Sequence, residues 1–189
     1  MTSSRTQILP AVTVLPPVAA ERRHSPEGAY GTYRDCIRGD FGFTCPFCLL
    51  HESDLTSLGV EGLALTWIEH LLLKSTEGEA DRYGNCVYAC QMCNRARGRT
   101  ASVCSDGAQL LDPTGVGWAD HFERQDDRLS PRPGDADAGY TWLAYDIDDA
   151  RKVHARARRR QDVEQAWELH AIDSRNLQRI DEALETLPH

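Results

Sequence analysis

The chain has 189 residues, 41% of them hydrophobic and 26% charged, with a net charge of -8. That is the composition of a soluble globular domain with tails, and no run approaches the roughly 18 apolar residues of a membrane-spanning helix. The negative charge argues against a protein that coats nucleic acid through bulk electrostatics, although a local basic surface can still guide a phosphate backbone.

Residues 1–28 are rich in proline and small polar residues and are predicted to be a flexible N-terminal arm. Positions 8–20 are apolar but carry three prolines and lack the basic lead of a secretory signal, so a cytoplasmic protein is expected. Residues 29–123 form the predicted core domain. Within it, residues 29–44 lead as a short helix or turn into a segment where Phe41 and Phe43 alternate as in a strand. Cys45-Pro-Phe-Cys48 reads as a metal knuckle. Leu63, Leu65 and Trp67 alternate with Ala64, Thr66 and Ile68, the period of a largely buried strand that ends at Glu69-His70. Residues 74–84 read as a loop, 86–89 as a second short strand, and 90–97 as a short helix ended by Gly98. A Pro-Thr-Gly turn at 113–115 then precedes an aromatic segment expected to pack on the core.

Beyond that the charges separate. Residues 120–149 hold nine acidic residues and three arginines, and 151–160 hold six basic residues and no acid. Residues 124–146 are predicted to be an acidic, Gly/Pro-containing linker, and 147–189 a helical extension of one long helix or a hairpin. The basic run permits two readings, a stripe along a nucleic-acid backbone or a helix face paired with the acidic stretch before it.

Seven cysteines is an odd number, and four of them form two C-x-x-C pairs. In a reducing compartment this favours metal over disulfides. The pairs Cys45/Cys48 and Cys90/Cys93 flank 41 residues (49–89). They suit a four-thiolate structural Zn²⁺ site, because each knuckle presents two sulfurs on one turn. The alternative, a redox C-x-x-C, calls for a βαβ setting that the pattern lacks. Four thiolates leave no open position, so the chemistry must lie elsewhere. Cys36, Cys86 and Cys104 have no partner at ligand spacing and read as buried or free thiols.

Between the knuckles stand Glu69-His70, then Asn85, then Asn94 directly after Cys93, in the text I-E-H-L-x-x-K-S and Y-x-N-C-V-Y-A-C-x-x-C-N-x-A-R. Over roughly residues 40–123 this resembles the HNH endonuclease family, and the later L-D-P-T and W-A-D-H-F are similar to a segment that follows the core in some bacterial members. The resemblance implies an α+β chain built on a ββα-metal core and a metal-dependent cut in DNA. It gives Asn85 the role of bracing the loop and orienting His70, and Asn94 that of a cation ligand where many members have histidine. Two positions depart from the family pattern, Leu73 where proline is frequent and Glu69 where aspartate is common.

The residue chemistry supports the same roles. Histidine titrates near neutral pH, so His70 suits removal of a proton from water. Glu69 and Asn94 offer oxygen ligands that suit Mg²⁺ or Mn²⁺. Lys74, Arg95 and Arg97 are candidate phosphate contacts. DNA is the expected partner, with RNA left open. One active site attacks one strand, so a double-strand break calls for a homodimer or a partner protein. The alternative function is a zinc-stapled nucleic-acid- or protein-binding module without turnover, acting within a defence or mobile-element complex.

Overall fold

A computed structural model describes residues 30–58, 67–72, 82–115 and 117–185, the last of these as backbone only from 172. The predicted arm at 1–28, the leucines of the first strand and Lys74 lie outside the described residues. The described chain is α+β, a set of helices with two separate two-stranded antiparallel sheets. Among the described residues no helix is long and apolar enough to cross a membrane.

A 3-10 turn at Tyr30–Tyr33 leads into α1 (Arg34–Asp40). Phe41 and Phe43 do not form the expected strand. Gly42 and Phe43 take φ values of 55° and 57°, so the chain turns sharply at the end of α1, burying Phe41 and leaving Phe43 exposed. The first knuckle follows, then α2 (Glu52–Ser57). The start of α2 is fixed by a capping box in which the His51 ring accepts from Ser53 N–H and the Asp54 carboxylate accepts from His51 N–H. The Arg38 fork grips both oxygens of Glu52 at 2.8 and 2.7 Å, joining α1 to α2.

The next three elements carry the candidate site. β1 (Trp67–His70) pairs antiparallel with β2 (Cys86–Ala89), with His70 opposite Cys86 and Trp67 opposite Ala89. Helix α3 (Gln91–Arg97) begins on Cys90, whose Sγ accepts from Cys93 N–H at 3.4 Å, and ends at Gly98 with φ 48°. β2 is buried along its length. β1 departs from the expected burial. Trp67 and Glu69 share a face, yet Trp67 is 39% exposed and Glu69 only 6%, so that face is covered at its Glu69 end alone.

The turn at 112–115 is an Asx turn, Thr114 N–H donating to Asp112 Oδ1 at 2.8 Å. It delivers Trp118 into the core, as the aromatic pattern predicts. The core centres on the knuckle residue Phe47, which stacks on Tyr145 at 3.7 Å and meets Trp118 edge-on at 6.0 Å. Such ring pairs each contribute about 0.5–1.5 kcal/mol beyond their buried area.

Residues 124–146 are not a linker. β3 (Phe122–Gln125) and β4 (Arg128–Pro131) form a hairpin, and α4 (Ala136–Ala144) packs behind it, with Leu129, Ala138 and Ala144 buried. The polar composition that reads as a linker is spent on fixed contacts. Asp135 caps α4 by accepting from Ala138 N–H at 2.9 Å, and Trp142 Nε1–H donates to Leu129 O at 2.7 Å.

α5 (Ala150–Glu185) is one continuous helix of 36 residues. Two residues of its basic run, Lys152 and Arg156, are buried, and Arg160 one turn on is exposed but still paired. Lys152 Nζ donates to Tyr145 O and Asp146 O, Arg156 reaches the first knuckle, and Arg160 pairs with Asp127. Arg156 also pairs with Asp148 at 2.7 Å. Within the run, Arg151, Arg156 and Arg160 pair with the acidic stretch through Asp149, Asp148 and Asp127.

Candidate active site and metal centre

The Sγ atoms of Cys45, Cys48, Cys90 and Cys93 all lie within 4.8 Å of one another, with Cys48 and Cys90 at 3.6 Å, and all four residues are buried. A tetrahedral ion bound at about 2.3 Å sets its sulfurs about 3.8 Å apart, so the cluster fits such an ion closely. The two knuckles reach this point from opposite sides. The first is a tight turn in which Cys45 O accepts from Leu49 N–H at 2.8 Å, with Leu49 itself at φ 61°. The second is the first turn of α3. Burial pushes the Cys48 and Cys93 thiols well up. Burial also acts on Cys45, but hydrogen bonds from the other three thiols outweigh it and hold Cys45 well below the usual thiol range. A bound cation would displace the thiol protons and take the sulfurs as its ligands.

The four cysteines fix α3 against the start of the domain, and α3 in turn packs on β1. Where β1 ends, His70 is half-buried and the chain turns at Leu71 and Leu72. Asn85 sits on the other side of the gap, just before β2, and its side-chain amide clamps that turn. Leu72 N–H donates to Asn85 Oδ1 at 2.7 Å, and Asn85 Nδ2 donates to Leu72 O at 3.0 Å. Leu71 N–H donates to Asn85 O at 3.1 Å, and Ser102 Oγ donates to Leu71 O at 2.7 Å. Both residues after His70 are therefore held by groups distant in sequence. Asn85 is brought to this turn from the motif; Ser102 carries no motif and only the fold brings it here.

Glu69 and Arg97 meet in the interior. Arg97 has no exposed surface, and its Nε lies 3.7 Å from Glu69 Oε1, an ion pair beyond hydrogen-bonding distance. Among the described residues all three guanidinium nitrogens lack a hydrogen-bond partner, as does the hydroxyl of Tyr145. Burial pushes the Glu69 carboxyl up to about 7, against the pull of Arg97. Burial, then the charge of Glu69, also raises the Tyr145 hydroxyl well above its ordinary value. The expectation that Arg97 contacts phosphate is thus corrected. Helical residues two apart point about 200° away from each other, so Arg95 faces solvent and Arg97 faces Glu69.

Asn94 is half-buried on α3, and no hydrogen bond or ion pair holds its side chain among the described residues. Asn94 and Glu69 offer oxygens that suit a hard divalent cation. Glu69 would have to exchange Arg97 for it. The other predicted histidines hold structural posts or lie at the surface: His51 caps α2, and His121 Nδ1 pairs with Asp135 at 2.7 Å. Cys86 is buried, and Cys36 and Cys104 are partly buried, all three outside any disulfide among the described residues.

No protein-family model matches the chain, and no curated protein or solved structure matches it either.

Proposed function

We propose that the chain is an HNH-type endonuclease that hydrolyses phosphodiester bonds in DNA, with β1, β2 and α3 as a ββα-metal core stapled by Zn²⁺ on Cys45, Cys48, Cys90 and Cys93. The observation that carries the reading is the two-point clamp of Asn85 on Leu72. It ties Asn85 to the turn two residues after His70, and so draws together the two stretches in which the motif's histidine and asparagine stand.

In this reading His70 takes the proton from the attacking water, a step that typically contributes 10²–10⁴-fold. Asn85 and Ser102 stop the turn from swinging, so the ring meets the water at a fixed angle. Asn94 and Glu69 are the residues that would hold Mg²⁺ or Mn²⁺. Bound there, the cation supplies Lewis-acid polarisation of the phosphate and neutralises the departing 3′-oxygen. Arg95, exposed on the next position of α3, holds the backbone beside the cut. Products carry 5′-phosphate and 3′-hydroxyl ends. RNA is a substrate of the same chemistry.

One observation favours a second reading. Glu69 is buried against Arg97 rather than open to solvent, as would suit a zinc-stapled binding module without turnover. The ends of the products separate the two. Zinc-loaded protein is incubated with end-labelled DNA and Mg²⁺ or Mn²⁺, and the fragments are tested for ligation. Cation-dependent fragments that religate without end repair support the nuclease, and intact DNA bound by the protein supports the module.

A further inference from the structure

A groove of about 410 Å³ runs between the outer face of α3 and the start of α5, a size within the roughly 300–1,000 Å³ of small-ligand sites. Met92 and Leu58 contribute apolar surface to its lining, and Arg95, Arg151 and Lys152 contribute cations. Each cation has donors to spare. No hydrogen bond or ion pair holds Arg95 among the described residues. Arg151 is fixed by Asp149 through Nε and Nη2, which leaves three of its five N–H groups. Lys152 is 1% exposed, and its ammonium donates to the carbonyls of Tyr145 and Asp146 at 2.8 and 2.7 Å. An ammonium has three donors, and among the described residues these two carbonyls are its hydrogen-bond partners, so the Lys152 charge lies at the edge of the groove.

We infer that this groove binds one nucleotide of a single-stranded stretch of nucleic acid, its phosphate on Lys152, Arg151 and Arg95 and its base on Met92 and Leu58. The inference rests on the nuclease reading for its setting, because Arg95 follows Asn94 on α3 and a nucleotide held here neighbours the scissile one. Three features select this ligand. Clustered guanidinium and ammonium groups take phosphate oxygens. The apolar side chains of Met92 and Leu58 can cover the flat face of a base by van der Waals contact. In a duplex the base faces are stacked on one another, so only an unpaired base can lie on those side chains. Asp146 lines the same groove as the one acid; its carboxylate disfavours a second phosphate and accepts from N–H groups on a base edge.

The test reads binding without cleavage, by fluorescence anisotropy of a labelled single-stranded oligonucleotide on zinc-loaded protein carrying His70→Ala, with no divalent cation added. Reversal of both exposed arginines (Arg95→Glu with Arg151→Glu) is expected to weaken binding about tenfold or more and to flatten the salt dependence. An oligonucleotide with abasic sites is expected to bind more weakly than the intact strand, and Met92→Ala to narrow that gap. A duplex of the same sequence is expected to bind more weakly and to lose less on charge reversal. Single-strand affinity unchanged by the reversal, or duplex bound as tightly and weakened equally, would overturn the inference. So would an acidic peptide that displaces the oligonucleotide at equal charge, which would mark the groove as a protein-docking surface. Failure of the wild-type protein to cut DNA bears on the nuclease reading alone, since this binding measurement proceeds without turnover.

Discussion

The two most deeply placed arginines of the domain are treated in opposite ways. Arg156, on α5, donates to the carbonyls of Asp127, Cys48 and Ile147 at 2.6–3.2 Å and pairs with Asp148 at 2.7 Å. Arg97, on α3, is more buried still, yet among the described residues its nearest counter-charge is 3.7 Å away and none of its nitrogens is hydrogen-bonded. Burying an ion costs several kcal/mol, which is offset only where geometry and additional hydrogen bonds are good. Around Arg156 that condition is met, and the joint between α5 and the first knuckle is a finished structural part. Around Arg97 and Glu69 it is not met. The poorly compensated charge sits against Glu69, the residue before His70 on β1; stability is commonly given up in this way for function.

The largest effect is expected at the knuckle that both regions depend on. Cys48→Ser should abolish stoichiometric metal binding and cooperative unfolding, because ion binding of this kind supplies about 10–16 kcal/mol in small zinc domains. Metal analysis with thermal circular dichroism checks it, and a variant that melts cooperatively without metal would make the cluster an ordinary core. Next, Arg156→Met should destabilise by about 3–5 kcal/mol, as read by chemical denaturation, since it takes the donor from three carbonyls and leaves Asp148 only Arg128 and the Leu129 N–H.

The third expectation concerns pH. The Glu69 carboxyl is raised from 4.5 to about 7 in the folded state. Between those values the folded protein holds a proton that the unfolded chain has lost, so stability falls as pH rises through that window and stays lower above it. The whole effect is about 3 kcal/mol at 1.36 kcal/mol per unit. Denaturation curves of wild type and Glu69→Gln should therefore diverge between pH 4.5 and 7, and parallel curves would mean Glu69 is solvated. The smallest effect is expected for Arg97→Met, about 1 kcal/mol or less, because the charge it removes is poorly compensated and Glu69 can then stay protonated. If this substitution destabilises as much as Arg156→Met, the contrast between the two arginines is wrong.

What was legible in the sequence was local. Each C-x-x-C places two sulfurs on one turn, so the knuckles, β2 and the limits of α3 follow from short spacings, and Gly98 closes the helix as its φ of 48° requires. The chemistry of Glu69, His70, Asn85 and Asn94 was legible as residue types. Their environment was not. Arg95 and Arg97 are the same residue two positions apart, and only the packing of α3 on β1 decides which one is buried. The hairpin and α4 were hidden inside an acidic segment because the arginines that neutralise it, Arg156 and Arg160, lie a helix away. Ser102 joins the turn after His70 from beyond α3, and no local pattern announces it.

The most direct test of the nuclease reading is plasmid nicking by zinc-loaded wild-type, His70→Ala and Asn85→Ala proteins at matched zinc content, with Mg²⁺ or Mn²⁺. Cation-dependent nicking that falls about 10²–10⁴-fold in His70→Ala, with Asn85→Ala between the two, is the expected result. Equal nicking by all three proteins, or none by wild type, would contradict the assignment of His70 as the base and of Asn85 as the residue that positions it.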